Sequence, residues 1–448
     1  MNQTFTNIPS LLTKTNHLPT PFFVIDEDKI ENNLKVLQSV IKETDCKILL
    51  AQKAFSCFDF YPIISKYLSG TTASGLYEAQ LAHEYFATNN KKVETAKNLP
   101  DYTDNTKATG CENHVFAPAF TDSDIQKIVK ICSHIVFNSA NQLNKHYDIC
   151  KKNNVSISLR VNPQHSTQGG GETGNHSLYD PCAPLSRFGV KIDDTIWKDE
   201  SLHEKLDGLH FHTLCQQGYS DLESTFKVFE SSFGEFFSKL CKHKNNIGKT
   251  PYINLGGGHH ITNGKLHEKK RGYQTDNGYN IERLIGLIEY IKQKYGCQVY
   301  LEPGEAVVLN SGYLVSSVLD IIDDKIMPIV ILDTSAACHN PDILETKHDY
   351  MPPIYKASIA LTSDLSSPNT CRLAGNSCLT GDIIGDYKFD KKLQISDKVV
   401  FGDMALYTIV KGNTFNGIPL PDIYKLSNNS ITQIRKSDYI DFKSRLGK

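Results

Sequence analysis

No apolar stretch in this chain approaches the ~18 residues that a membrane-spanning helix requires. An excess of basic charge is also missing. Lys and Arg number 48 against 50 Asp and Glu, a formal charge of −2. That excludes the electrostatic footprint of a nucleic-acid or anionic-membrane binder, and there is no acidic tail either. The opening MNQTFTNIPSLLTKTNHLPT lacks a basic region followed by an apolar core, so no signal peptide is expected. The 12 cysteines are scattered, with no CxxC pair and no framework spacing, which points to a reducing cytoplasm rather than disulfide scaffolding. No internal repeat stands out. What is present is an ordinary globular composition, 40% hydrophobic and 22% charged over 448 residues. A chain of this length has room for about three domains, although α/β barrels commonly take about 200–250 residues as one.

Several segments share one rhythm, a short apolar run, a turn and then an amphipathic stretch. Cys46 to Phe55 reads as a strand, and Phe58 to Tyr67 has helical apolar spacing. Gly70 to Phe86 opens with small residues suited to a turn and continues as a helix. In HIVFNSANQLNKHYDI a strand meets an Asn138/Ser139 cap and then a helix. VSISLRVNP, LDGLHFHTL, YINLGGGHH and QVYLEPGEA are further apolar runs ending in Gly, Pro or polar residues. Strands alternating with helices predict a parallel sheet, and about eight units predict a closed (β/α)8 barrel. Lys53, His212, Gly256–Gly258 and Glu302 all fall at or just past the C-terminal ends of expected strands. In a barrel those ends form the catalytic face.

After about Ser311 the rhythm changes. YLVSSVLDII, IMPIVILDTSA, YKASIAL, DKVVFGDMA and ITQIRK are strands without long helices between them, which reads as a mostly β domain. The expected division is a barrel over 28–312 and a β domain over 313–448 that also takes the early strand at 20–27. Asn89–Asn113 and Lys265–Asn280 are polar and turn-rich and read as surface insertions.

Taken singly, the chemical motifs are ambiguous. Gly256–Gly258 lets backbone N–H groups approach an anion closely, but it also suits a tight strand-to-helix turn. Lys53, flanked by Leu50, Ala51 and Ala54, is placed to form a Schiff base if desolvation favours its neutral amine; a salt-bridged lysine fits the same pattern. Glu302 in LEPGEA suits a carboxylate partner for a heterocyclic nitrogen, or a strand-end ion pair. His210, His212, His259, His260 and His339 invite a zinc reading, with His210, His212 and His260 as the trio of a zinc hydrolase, yet no HExxH helix accompanies them. Cys378, in RLAGNSCLTGD, is a candidate proton donor or an inert thiol, with Asp382 four positions on.

In combination they are specific. LLAQKAFS, GTTASGLYEAQL, HIVFNSANQL, YDPCAPLSRFGV, GLHFHTLCQQ, NLGGGHHIT, YLEPGEAV, LDTSAACHNPDILE, CLTGDIIGDY and VFGDMALYTIVKGNTFNG follow one another from Thr20 to about Gly417. In this order the chain resembles the fold-type III pyridoxal-phosphate decarboxylases, the group acting on ornithine, diaminopimelate and arginine. Within that family it is most similar to the branch that acts on carboxylated polyamines. The resemblance implies an alanine racemase-like barrel with a β domain. It implies decarboxylation of carboxynorspermidine or carboxyspermidine to norspermidine or spermidine, in a cytoplasmic homodimer with shared active sites. It assigns Lys53 to carrying pyridoxal 5′-phosphate, His212 to stacking on its ring and Glu302 to pairing with the ring nitrogen. Gly257 and Gly258, with Tyr407, would hold the phosphate, and Arg160 would lie beside the cofactor. Cys378 would be the proton donor, arriving from the second subunit, and Glu305 and Asp342 would bind substrate.

The chain departs from the family in three places. Glu305 stands where ornithine decarboxylases have arginine, which suits a substrate with an additional amine. Leu406 replaces the histidine of the usual DMAHYT, and AGNSC replaces Gly-Pro-Thr-Cys. The alternatives left open are decarboxylation of another diamino acid such as meso-diaminopimelate, a non-catalytic cofactor-binding homologue, and a zinc hydrolase.

Overall fold

The computed structural model describes residues 8–86, 111–168, 179–261, 279–364 and 367–447. The chain divides into two units: Asn32–Val307, and the residues up to Glu31 together with those from Val308 onward.

The first strand, β1 (Phe22–Asp26), belongs to the second unit. In the Asn32–Val307 unit, β2 (Lys47–Ala51), β3 (Gly70–Ala73), β4 (Glu112–Phe116), β5 (His134–Phe137) and β6 (Ser156–Asn162) pair in parallel, each with the next. A two-residue strand, β7 (Val190–Lys191), pairs with the end of β6. The series continues through β8 (Gly208–His210), β9 (Tyr252–Asn254) and β10 (Gln298–Leu301), and β10 closes on β2. This is the expected eight-stranded parallel barrel. The intervening helices show why the chain folds this way. Asn280 caps the helix Ile281–Tyr295 by accepting the N–H of Arg283 at 2.9 Å. Leu284, Leu287, Ile288, Ile291 and Tyr295 form its buried stripe, and left-handed Gly296 ends it. Ser139 caps Ala140–Lys152 in the same manner.

Three local expectations change. Gly70–Ala73 is a fully buried barrel strand rather than a turn. Its β-branched Thr71 and Thr72 suit a strand, and Gly70 allows the backbone of Glu112 to pass where a Cβ would stand 2.0 Å from its carbonyl oxygen. The first expected insertion ends earlier than Asn113, because Glu112 and Asn113 begin β4; its residues 89–110 lie outside the described residues. Phe58–Tyr67 gives only a 3-10 turn, Phe58–Phe60, and a short helix, Tyr61–Ile64. Of the second expected insertion, 265–278 lies outside the described residues.

The second unit is a mixed sheet. Its strands are β1, β11 (Gly312–Ile322), β12 (Ile329–Leu332), β13 (Ala357–Ile359), β14 (Thr370–Ala374), β15 (Ile383–Phe389), β16 (Lys398–Gly402), β17 (Asp422–Ser427) and β18 (Ser430–Arg435). The order is β13-β15-β14-β12-β11-β1-β17-β18, with β16 paired to β11. β1 lies antiparallel to β11 and parallel to β17, so the early strand is an interior strand of this sheet. Phe22, Val24, Tyr313, Val315, Val400, Tyr424 and Leu426 pack there with Ile8 and Leu11.

Candidate active site

The strand ends of the barrel gather most of the residues singled out in the sequence. Lys53 stands two residues beyond β2, Arg160 lies within β6, His212 lies two beyond β8, and Glu302 follows β10 directly. Lys53 Nζ is 3.5 Å from His212 Nε2. Solvent reaches this lysine, yet it is set deep among protein atoms, and desolvation lowers its pKa from 10.5. Arg160 pushes the same way, whereas Glu302 and Glu78 oppose it. The net effect enlarges the neutral, nucleophilic fraction of the amine.

His212 is held neutral. Burial lowers its pKa well below 6.5, with the charges of Lys53 and Arg160 adding to the effect. Its Nδ1 accepts the N–H of Gly257 at 2.7 Å, which leaves the ring proton on Nε2. Its carbonyl accepts from the Arg160 guanidinium at 2.9 Å. That guanidinium packs in the corner formed by Phe116 and Phe188, 4.6 and 4.5 Å from the ring centroids. Burial brings its pKa down to about 10, so Arg160 remains a cation at neutral pH.

Glu302 is buried and stays anionic. Burial alone would raise its pKa, but hydrogen bonds from His210 Nε2 at 3.3 Å and Asn254 Nδ2 at 2.8 Å bring it to about 2. His210 itself is pushed down by burial, so it serves as a neutral N–H donor to the carboxylate. Gly256 and Gly258 have φ of 71° and 83°, the left-handed region that glycine tolerates. A Cβ on Gly257 would stand 2.1 Å from the Glu302 carbonyl oxygen, and one on Gly258 equally close to that of Leu214. Behind this loop His259 bridges Tyr279 Oη at 3.0 Å and the Gly256 carbonyl at 3.1 Å. Glu305 is buried one turn past Glu302, with His260 Nδ1 at 3.4 Å.

Three expected site residues belong to the second unit. Cys378 is exposed, and its N–H donates to Asn416 Oδ1 at 2.8 Å. Asp342 is ion-paired with Lys411 at 2.7 Å. Tyr407 has φ 58° and precedes the short helix Thr408–Lys411.

His210, Asn254 and His259 were not assigned these supporting roles from the sequence. The alternation of HxH did place His210 on the same strand face as His212, the one available signal. The zinc trio His210, His212 and His260 does not form a ligand group among the described residues. A different group, Glu112, His114 and His134, lies close together at the opposite strand ends. Glu112 is ion-paired there with Lys47 and lies within hydrogen-bond distance of His114 Nε2, at 2.9 Å. The two imidazoles lie 21° from parallel with centroids 3.9 Å apart, a stacked pair whose in-plane lone pairs do not converge on one point.

A primary amine of lowered pKa, a neutral imidazole face, a buried anion and a glycine loop match a flat, aldehyde-bearing, phosphorylated heterocycle. Comparison with known proteins decides the family. The profile described as pyridoxal-dependent decarboxylase, C-terminal sheet domain, matches residues 22–405. The chain belongs to the pyridoxal-dependent decarboxylases. Carboxynorspermidine/carboxyspermidine decarboxylase from Campylobacter jejuni is 38% identical over 96% of this chain and 98% of its own length. Carboxyaminopropylagmatine decarboxylase from Synechocystis is 32% identical over 97% of each. Among solved structures, carboxynorspermidine decarboxylase from Campylobacter jejuni complexed with norspermidine superposes with a TM-score of 0.75 at 36% identity, covering 96% of this chain and all of that one. Diaminopimelate decarboxylase from Helicobacter pylori, at 18% identity and TM-score 0.72, shares the fold. Pyridoxal phosphate is the cofactor of this decarboxylase, and the barrel residues fit it.

Proposed function

We propose that this pyridoxal-dependent decarboxylase removes the carboxylate of carboxynorspermidine or carboxyspermidine, yielding norspermidine or spermidine in polyamine biosynthesis. The observation that carries the reading is similarity along nearly the full chain to the Campylobacter jejuni enzyme, whose relative in the solved structures holds norspermidine. The Synechocystis relative supports one competing substrate, carboxyaminopropylagmatine, which ends in a guanidinium rather than an amine.

The bound cofactor supplies an electron sink for the pair left when CO2 departs. The chain's residues do the rest. Lys53, its pKa lowered by burial, would carry the cofactor on its amine. Glu302, fixed by His210 and Asn254, would hold a proton on the ring nitrogen. His212 would cover the ring, and Arg160 would add a fixed positive charge. Gly257 and Gly258 would hold the phosphate, and Tyr407 is the further phosphate contact that the resemblance implies. Cys378, supplied by the partner subunit of a cytoplasmic homodimer, returns one proton to the α-carbon. Glu305 and Asp342 would receive the two protonated amines of the substrate, since an ammonium stripped of water needs an acidic partner, and at Asp342 the amine would have to take the place of Lys411.

Charge-assisted hydrogen bonds of about 1.5–3 kcal/mol set the size of the test. Glu305→Gln and Asp342→Asn should each lower kcat/KM for carboxynorspermidine roughly 10- to 150-fold, with cofactor absorbance unchanged. Both variants retaining full efficiency would refute this substrate assignment.

A further inference from the structure

The turn that carries Cys378 is organised by one buried carboxylate. Asp382 is 3% exposed. Its Oδ1 accepts the N–H groups of Ala336 at 2.7 Å and Ala337 at 3.4 Å. Its Oδ2 accepts the N–H of Ser377 at 3.2 Å and the Ser377 hydroxyl at 2.5 Å. The backbone closes on itself as well, with Asp382 N–H donating to Leu379 and Gly375 N–H donating to the Asp382 carbonyl, both at 2.9 Å. Gly375 passes so near that a Cβ there would stand 2.3 Å from Oδ2.

The two oxygens therefore face different segments. One holds Ser377, the residue before Cys378. The other holds the start of the helix Ala336–His339, which leads directly into Asp342–Glu345. We infer that Asp382 is a positioning residue that sets Cys378 and Asp342 in register with each other by tying both of their segments to one carboxylate. The inference rests on the reading of Cys378 and Asp342 as proton donor and substrate acid. A carboxylate is required because donors approach both oxygens. An asparagine would turn its own N–H groups toward one set of them. Asn416 supplies a second tie, its left-handed backbone (φ 57°) presenting Oδ1 to the Cys378 N–H.

The test uses the holoenzyme and three readouts: kcat and KM, thermal melting, and the rate at which iodoacetamide alkylates Cys378, located by peptide mass. Asp382→Asn should lower kcat about 10- to 100-fold and shift the Cys378 alkylation rate about threefold or more, with the cofactor still bound. Ser377→Ala removes only one leg of the clamp, should move the same readouts less, and carries the test if Asp382→Asn does not fold. Asp386→Asn, which breaks an ion pair to Arg372 on the neighbouring strand, should move neither kcat nor alkylation. If Cys378→Ala is inactive while the clamp variants keep wild-type kcat and alkylation, the inference is wrong. A loss of activity that follows melting temperature without a change in alkylation also overturns it. If Cys378→Ala keeps full activity, the reading of Cys378 itself fails.

Discussion

Replacing Glu302 with glutamine isolates one charge without changing its volume. The carboxylate accepts from His210 and Asn254, and its pKa falls from the ordinary 4.5 to about 2. At about 1.4 kcal/mol per unit, that shift corresponds to about 3 kcal/mol of stability. The sign is set by the direction of the shift. A depressed carboxylate contributes fully above its unfolded value of 4.5 and loses that contribution as pH falls toward 2. Glu302→Gln should therefore be less stable than wild type by up to about 3 kcal/mol at pH 7. The gap should narrow at pH 3, where the wild-type carboxylate has begun to lose its advantage. In turnover the same substitution removes a charge-assisted hydrogen bond, worth about 1.5–3 kcal/mol, or roughly 10- to 150-fold in kcat/KM. The assays are CO2 release at saturating cofactor and urea unfolding at the two pH values. Activity within threefold of wild type, together with a stability gap that does not change with pH, would refute the assignment.

Three further outcomes follow from the site. Borohydride should trap the cofactor on Lys53, located by peptide mass, and Lys53→Ala should show no such adduct. The pH midpoint for cofactor uptake by apo-protein should lie below 10.5, rise in Arg160→Met and fall further in Glu302→Gln, because Arg160 lowers and Glu302 raises the lysine pKa. Mixing inactive Lys53→Ala and Cys378→Ala protomers should restore activity if sites are shared between subunits; subunit exchange without recovery would exclude sharing.

Much of the barrel was legible because its catalytic strands advertise themselves. KILLA, SISLRVN, YIN and QVYL are apolar runs that stop at a polar or glycine-rich end, and the chemistry sits at that stop. β3 and β4 were harder to see. Their residues include Thr71, Thr72 and His114, all buried, which look like turn or surface residues until barrel closure gives them partners. In the second unit, β14, β15 and β17 carry Arg372, Asp386, Lys388 and Lys425 among their apolar residues, and β17 takes its place beside β1 from the other end of the chain. Site chemistry divides in the same way. Lys53, His212 and Glu302 were visible as reactive types at strand ends. The hydrogen bonds that set their charge states were not. Those from His210 and Asn254 to Glu302 span 92 and 48 residues of sequence. No local pattern encodes such a contact.

The central claim is the substrate. It is tested most directly by offering the purified enzyme carboxynorspermidine, carboxyspermidine, carboxyaminopropylagmatine and meso-diaminopimelate together and identifying the products by mass. Norspermidine or spermidine should accumulate first, with Lys53→Ala inert as the blank. Lysine or aminopropylagmatine forming in preference to either polyamine would contradict the account.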